Sequence, residues 1–144
     1  MIPFKKMKKS FWKWFAPKWP PMRAFLLRTH IIWHEPGRQR FHIGWLRGGA
    51  TPDEFRRYLE SIGFHDHSLS WIDDEEVFGI RLEDKENDDF QYHIRLFKDG
   101  EIRGHYEYVA EAYWFKHFLE VGMEQRREQF LKFLGDWTVE RSPR

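Results

Sequence analysis

On either side of Lys98-Asp99-Gly100, apolar side chains fall on alternate residues: Phe90, Tyr92, Ile94 and Leu96 before it, Ile102, Tyr106 and Tyr108 after it. That period belongs to strands with one buried face, and two such runs a few residues apart predict a hairpin. The turn decides the register. A two-residue Asp-Gly turn would set Ile94 against His105 and Leu96 against Arg103, mixing apolar and charged side chains on one face. A three-residue loop with Gly100 in the left-handed bulge position pairs 96 with 102, 94 with 104 and 92 with 106, which gathers the apolar residues on one side. Because a one-residue slip inverts every side chain, the second register is expected. Carried upstream, the same logic pairs Leu82 with Phe90, Ile80 with Tyr92 and Phe78 with Ile94.

The opposite face then holds the polar chemistry. His93 falls across from His105, Arg95 from Arg103 and Gln91 from Glu107, while Gly79 flanks His93 and Arg81 flanks Gln91. Two facing arginines repel unless an acid or an anion lies between them. Glu83, Glu101 and Glu107 could supply the acid, giving a salt-bridged, solvated outer face of the kind antiparallel sheets commonly have. The competing reading is an anion-binding face made by Arg81, His93, Arg95, Arg103 and His105, with Gly79 leaving room over His93. His93, His105 and Glu107 are also the candidates for a metal, Glu107 serving as ligand or base of a hydrolytic zinc centre. No helical His-Glu-x-x-His pattern accompanies them, so the sequence assigns neither a metal nor a cofactor and leans away from an enzyme. His65-Asp66-His67 opens a further strand, with His67 expected on the core side opposite Leu82. His30, His34 and His42 are placed on the outer face of a first hairpin.

That first hairpin is read as strands at 25–33 and 41–46 joined by Glu35-Pro36-Gly37-Arg38, where Pro-Gly favours a type II turn. Thr51-Pro52-Asp53-Glu54 is a helix start with a capping box, Phe55, Tyr58, Leu59 and Ile62 form the apolar stripe, and Gly63 is the stop. A strand at 65–72 follows, then strands at 77–83, 90–97 and 101–108. A helix over 113–134 comes last, with a break at Gly122 and an end at Gly135. The expectation is an α+β domain over 24–144: an antiparallel sheet of about five or six strands in the order β-β-α-β-β-β-β-α, helices on one face. The last helix, with Phe115, Phe118, Leu119, Phe130 and Trp114, carries more apolar residues than one packed stripe needs, which suggests a homodimer contact. Asp84 to Asp89 imitates the start of a calcium loop but lacks the sixth-place glycine and the closing glutamate. Gly48-Gly49 has no phosphate-loop context, and the serines lie in no nucleophile motif.

Residues 1–23 differ from the rest. They contain Lys5, Lys6, Lys8, Lys9, Lys13, Lys18 and Arg23 with no acidic residue, interleaved with Phe4, Phe11, Trp12, Trp14, Phe15 and Trp19. At helical period Phe4, Met7, Phe11, Trp14 and Phe15 share a face, and Pro17, Pro20 and Pro21 are expected to end the helix. The arm lacks the apolar stretch and cleavage site of a secretory signal. Lys5, Lys6, Lys8, Lys9 and Lys13 with Phe11, Trp12, Trp14 and Phe15 suit an anionic membrane interface. They also suit nucleic acid, or simple packing on the domain or a partner chain.

Composition narrows this only a little. Lys and Arg number 24 against 23 Asp and Glu, so overall charge names no polyanion partner. The absence of cysteine removes disulfides, thiolate metal sites and a cysteine nucleophile. The leading expectation is a non-catalytic binding or adaptor domain in the cytoplasm, peripheral at a membrane, whose arm meets an anionic membrane or protein partner. A nucleic-acid-binding module using the arm and the Arg/His face is the alternative, and the His93/His105/Glu107 metal-dependent hydrolase the second alternative.

Overall fold

A computed structural model of the protein describes residues 11, 13–31, 41–66, 75–109 and 122–143. The chain forms two compact units, Met1–Gly37 and Arg38–Arg144. In the first, a 3-10 turn at Ala16–Lys18 leads directly into α1, Trp19–Arg28. This corrects two expectations. The strand at 25–33 is helical up to Arg28, and the prolines start a helix rather than stop one. Pro20 and Pro21 occupy its first turn, where a missing N–H forfeits no intrahelical bond. Good helix formers follow in Ala24, Leu26, Leu27 and Arg28. The arm boundary expected after residue 23 therefore falls inside α1. The 35–38 turn lies outside the described residues.

The second unit is an α+β domain around one sheet. Its strands are β1 (His42–Leu46), β2 (Glu76–Glu83), β3 (Phe90–Phe97), β4 (Glu101–Tyr108) and β5 (Thr138–Val139), and its helices α2 (Pro52–Ser61) and α3 (Arg127–Leu134). The strand order is β2-β3-β4-β1-β5, every pairing antiparallel. The β3–β4 register is the one the alternation demands: Leu96 pairs with Ile102, Ile94 with Gly104, Tyr92 with Tyr106. Gly100 has φ +87° and donates its N–H to the Phe97 carbonyl at 2.9 Å, a backbone state that only glycine adopts without strain.

The β2–β3 pairing differs from expectation by two residues: Leu82 meets Tyr92, Ile80 meets Ile94, and Arg81 rather than Gly79 meets His93. The segment enclosed between Leu82 and its partner is two residues longer than hydrophobicity implied. Asp84 accepts the Glu86 N–H at 2.9 Å and Phe90 donates to the Asn87 carbonyl at 3.0 Å, which places Phe90 in the turn rather than opposite Leu82. A two-residue slide keeps every side chain on its face, so the core assignment survives it.

One side of the sheet carries the hydrophobic core. Ile80, Ile94, Leu96, Ile102 and Tyr106 pack with Phe55 and Leu59 of α2 and with Phe130 and Leu134 of α3. Burying each of these large apolar side chains stabilises the fold by roughly 1.5–3 kcal/mol. α2 begins as the sequence indicates: Thr51 Oγ1 accepts the Glu54 N–H at 3.3 Å, and the Glu54 carboxylate accepts the Thr51 N–H at 2.9 Å. Gly63 follows its end with φ +105°. Among the described residues the last helix begins only at Arg127, since Glu124 instead forms an antiparallel bridge with Tyr106. Leu131, Phe133 and Trp137 also pack on the core. Of the strand expected at 65–72, His65 pairs with Arg81, and 67–72 lie outside the described residues, as do 113–121.

Candidate functional site

The other face of the sheet is not the solvated surface its polar residues suggest. Arg81, Gln91, His93, Arg103, His105 and Glu107 are all buried there, each 7% exposed or less. Phe97, on the same face, is buried with them. Groups buried this deeply must find partners within the protein.

Two strand irregularities help to supply them. Between Glu76 and Phe78 the β2–β3 register shifts by one residue, which turns Glu76 off the core side and opposite Phe97. Its carboxylate holds the Arg95 guanidinium at 2.6 and 3.0 Å. A second shift, between His42 and Gly44, sets both His42 and Trp45 on the polar face opposite Arg103 and Glu101. There Glu101 bridges two cations or donors, Arg103 at 2.9 Å and His42 Nδ1 at 2.9 Å. Arg95 and Arg103, directly opposed in the register, stack at 5.3 and 4.3 Å from the Phe97 ring centroid and each has its own carboxylate. These acids offset the repulsion between the two arginines.

At the centre of this face three ligand-type side chains converge. His93 Nδ1 lies 3.3 Å from His105 Nε2. Glu107 presents one oxygen to each ring, Oε1 at 3.5 Å from His93 Nδ1 and Oε2 at 3.1 Å from His105 Nε2. One ligand atom per residue can be chosen so that all lie within 4.8 Å of one another, and all three residues are buried. Cross-strand pairing creates the cluster: His93 is opposite His105 on β3 and β4, with Glu107 two residues along opposite Gln91. Gln91 Nε2 donates to Glu107 Oε1 at 3.0 Å and fixes the carboxylate's orientation. Phe41, with φ +62°, lays its ring 5.5 Å from that of His105. A bulky residue seldom adopts that backbone state, so the surrounding packing must enforce it.

Burial, and after it the charge of Arg81, holds the His93 imidazole well below its ordinary pKa. It is therefore neutral at physiological pH, the form in which imidazole ligates metals. Protons favour the unfolded chain, whose imidazole titrates near 6.5. The sign follows from linkage: as pH falls through about 6.5 the unfolded state takes up the proton first, so stability declines. In urea titrations of chelator-treated protein the decline is expected in the native chain and to be shallower in His93→Gln. Equal slopes would exclude His93 as its source.

Gly79 completes the arrangement. A Cβ there would stand 2.5 Å from Glu76 Oε1 and 2.9 Å from His93 Nε2, so only glycine admits both side chains. The buried Nε2 of His93 thus faces the space beside the Glu76 carboxylate. Gly79→Ala is expected to cost about 1–3 kcal/mol by overpacking. Urea denaturation would show it, and an unchanged midpoint would mean the two side chains move apart freely.

Of the sequence candidates, His93, His105 and Glu107 are brought together, and Arg81 joins them opposite His93. Arg95 and Arg103 belong to a neighbouring ion-paired cluster. His42 belongs there too, His30 and His65 sit on other elements, and His34 and His67 lie outside the described residues. Glu76, which sequence reasoning missed, stands beside His93; Gly79 on an otherwise polar strand face was the available signal. Of the arm candidates, Phe11, Lys13, Trp14 and Phe15 are described, whereas Lys5, Lys6, Lys8, Lys9 and Trp12 are not. No family model, no curated protein and no solved structure matches this chain.

Proposed function

We propose that the second unit is a metal-binding domain, with a divalent transition metal, zinc in the first instance, held by His93 Nδ1, His105 Nε2 and the Glu107 carboxylate. The convergence of these three buried groups carries the reading. A tetrahedral centre with bonds of 2.0–2.1 Å has ligand–ligand edges of about 3.3–3.4 Å, whereas octahedral geometry at that bond length gives about 2.9 Å. The ring-to-ring contact of 3.3 Å matches the tetrahedral value, while Glu107 meets the two rings through different oxygens at 3.1 and 3.5 Å, so its carboxylate must turn to bring one oxygen to a shared vertex. Two imidazoles and a carboxylate suit zinc chemically.

Support also comes from the groups behind the ligands. Metal-bound histidines usually give their second ring N–H to an acceptor, and bound carboxylates are themselves hydrogen-bonded. The far nitrogen of His93 faces the side of Glu76, and Gln91 donates to Glu107. Three protein ligands leave a fourth position for water or a ligand atom, the pattern in which zinc activates water. The nearby Arg81 charge opposes a bare cation there but favours an anionic fourth ligand such as hydroxide.

The test is zinc titration by calorimetry on chelator-treated full-length protein, with metal content measured on protein purified without chelators. One ion per chain and a raised melting temperature are expected. A chain that takes up no zinc, cobalt or nickel would reduce the trio to a hydrogen-bonded structural cluster.

A further inference from the structure

We infer that the first unit is an anchor for an anionic lipid bilayer, an interaction that goes beyond the metal reading and does not rest on it. Phe11, Trp14, Phe25 and Ile31 are each more than half exposed, at 52, 61, 61 and 64%. The other large apolar residues exposed among those described, Ile62, Val77 and Val139, are isolated aliphatics at 36–43%. Solvent exposure of four large apolar side chains within 21 residues of one short helical unit is unfavourable in water unless a partner covers them.

Charge identifies the partner. No acidic residue precedes Glu35, while Lys13, Lys18 and Arg28 are exposed on the same unit as the rings. Lys18 Nζ stands 3.0 Å from the centroid of the Trp14 ring, so cation and aromatic are presented together. A positive unit so poor in acidic residues of its own repels a second copy of itself and is drawn to an anionic surface. Trp and Phe insert at the headgroup level, and basic residues beside them meet acidic headgroups. Nucleic acid shares the charge but not the rest. Bases reward flat rings, whereas Ile31 extends an apolar set that includes Met22, Leu26 and Leu27, which stacking does not use. Among the described residues no helix is long and apolar enough to cross a membrane, so the inferred contact lies at the interface.

Co-sedimentation of the full-length protein with vesicles tests the inference, using phosphatidylcholine alone and phosphatidylcholine with phosphatidylserine, at low and high salt. Pelleting is expected only with phosphatidylserine. It should weaken about tenfold at high salt, and as much in Trp14→Glu/Phe25→Glu and, separately, in Lys13→Glu/Lys18→Glu. Circular dichroism and urea midpoints equal to those of the native chain would establish that the variants are folded. Several results would overturn the inference: no pelleting, equal pelleting with the neutral lipid, or variants that bind as the native chain does. Tighter, ring-dependent binding of a single-stranded oligonucleotide than of acidic vesicles would replace lipid with nucleic acid.

Discussion

Replacing His105 with alanine is expected to weaken zinc binding by at least about a hundredfold, with Glu107→Gln close behind. Both ligand atoms lie against His93 Nδ1, so either change removes a vertex of the trio. Gln91→Leu and Glu76→Gln touch no ion directly. They should cost about 10–100-fold, the usual effect of groups that orient ligands. The graded order separates a metal centre from a merely structural network. In a structural network all four changes would lower the melting temperature similarly in chelator and in zinc. In a metal centre the stability gap between native and His105→Ala chains widens as zinc is added, by RT ln(1 + [Zn]/Kd). A gap indifferent to zinc would refute the assignment. At 144 residues the chain buries enough surface to fold without the ion, so the chelated protein should melt early rather than be unfolded.

The largest effect on stability is expected where α3 crosses the sheet. Phe130 is fully buried, and its ring lies where a Cβ on Gly104 would come within 2.8 Å of two ring carbons. Phe130→Ala should cost about 3–5 kcal/mol through lost burial and a cavity. Gly104→Ala should cost about 1–3 kcal/mol by pushing the ring, and with it the helix, off the strand. The two costs are not additive. Once the ring is gone, the new methyl meets open space and fills part of it, so the double variant should be more stable than the sum of the single changes implies. Urea titrations of the four proteins give the coupling directly. Additivity within about 0.5 kcal/mol would mean that Phe130 does not seat against Gly104.

Much of this domain is legible in its sequence because burial and strand period coincide. The alternation from Phe90 to Tyr108 sets the central register, and Thr51, Glu54 and Gly63 mark the ends of α2 by capping chemistry alone. The β2 register was missed because a slide of two residues leaves every side chain on the same face, and only the local bonds of Asp84 and Asn87 choose between the alternatives. α1 was misread because proline carries opposite meanings at a helix's first turn and in its interior. The burial of the polar face has a different cause. Alternating polar residues look solvated, and nothing in their pattern reveals the register shift that carries Glu76 across to Arg95. Phe97 and Gly79, an apolar ring and a missing side chain on a nominally wet face, were the two signs available. The pairing of His93 with His105 followed from the turn at Gly100, so the candidate ligands were in view before their burial was.

That turn also bears on the order of events during folding. His93 and His105 are only 12 residues apart in the chain, whereas His42 reaches Glu101 across 59. Closing the short loop costs much less chain entropy, so local hairpins tend to precede long-range strand docking. The three proposed ligands all belong to this one hairpin. The centre is thus placed in the segment best suited to nucleate the sheet, and an ion captured there early would act on the rate of folding as well as on final stability.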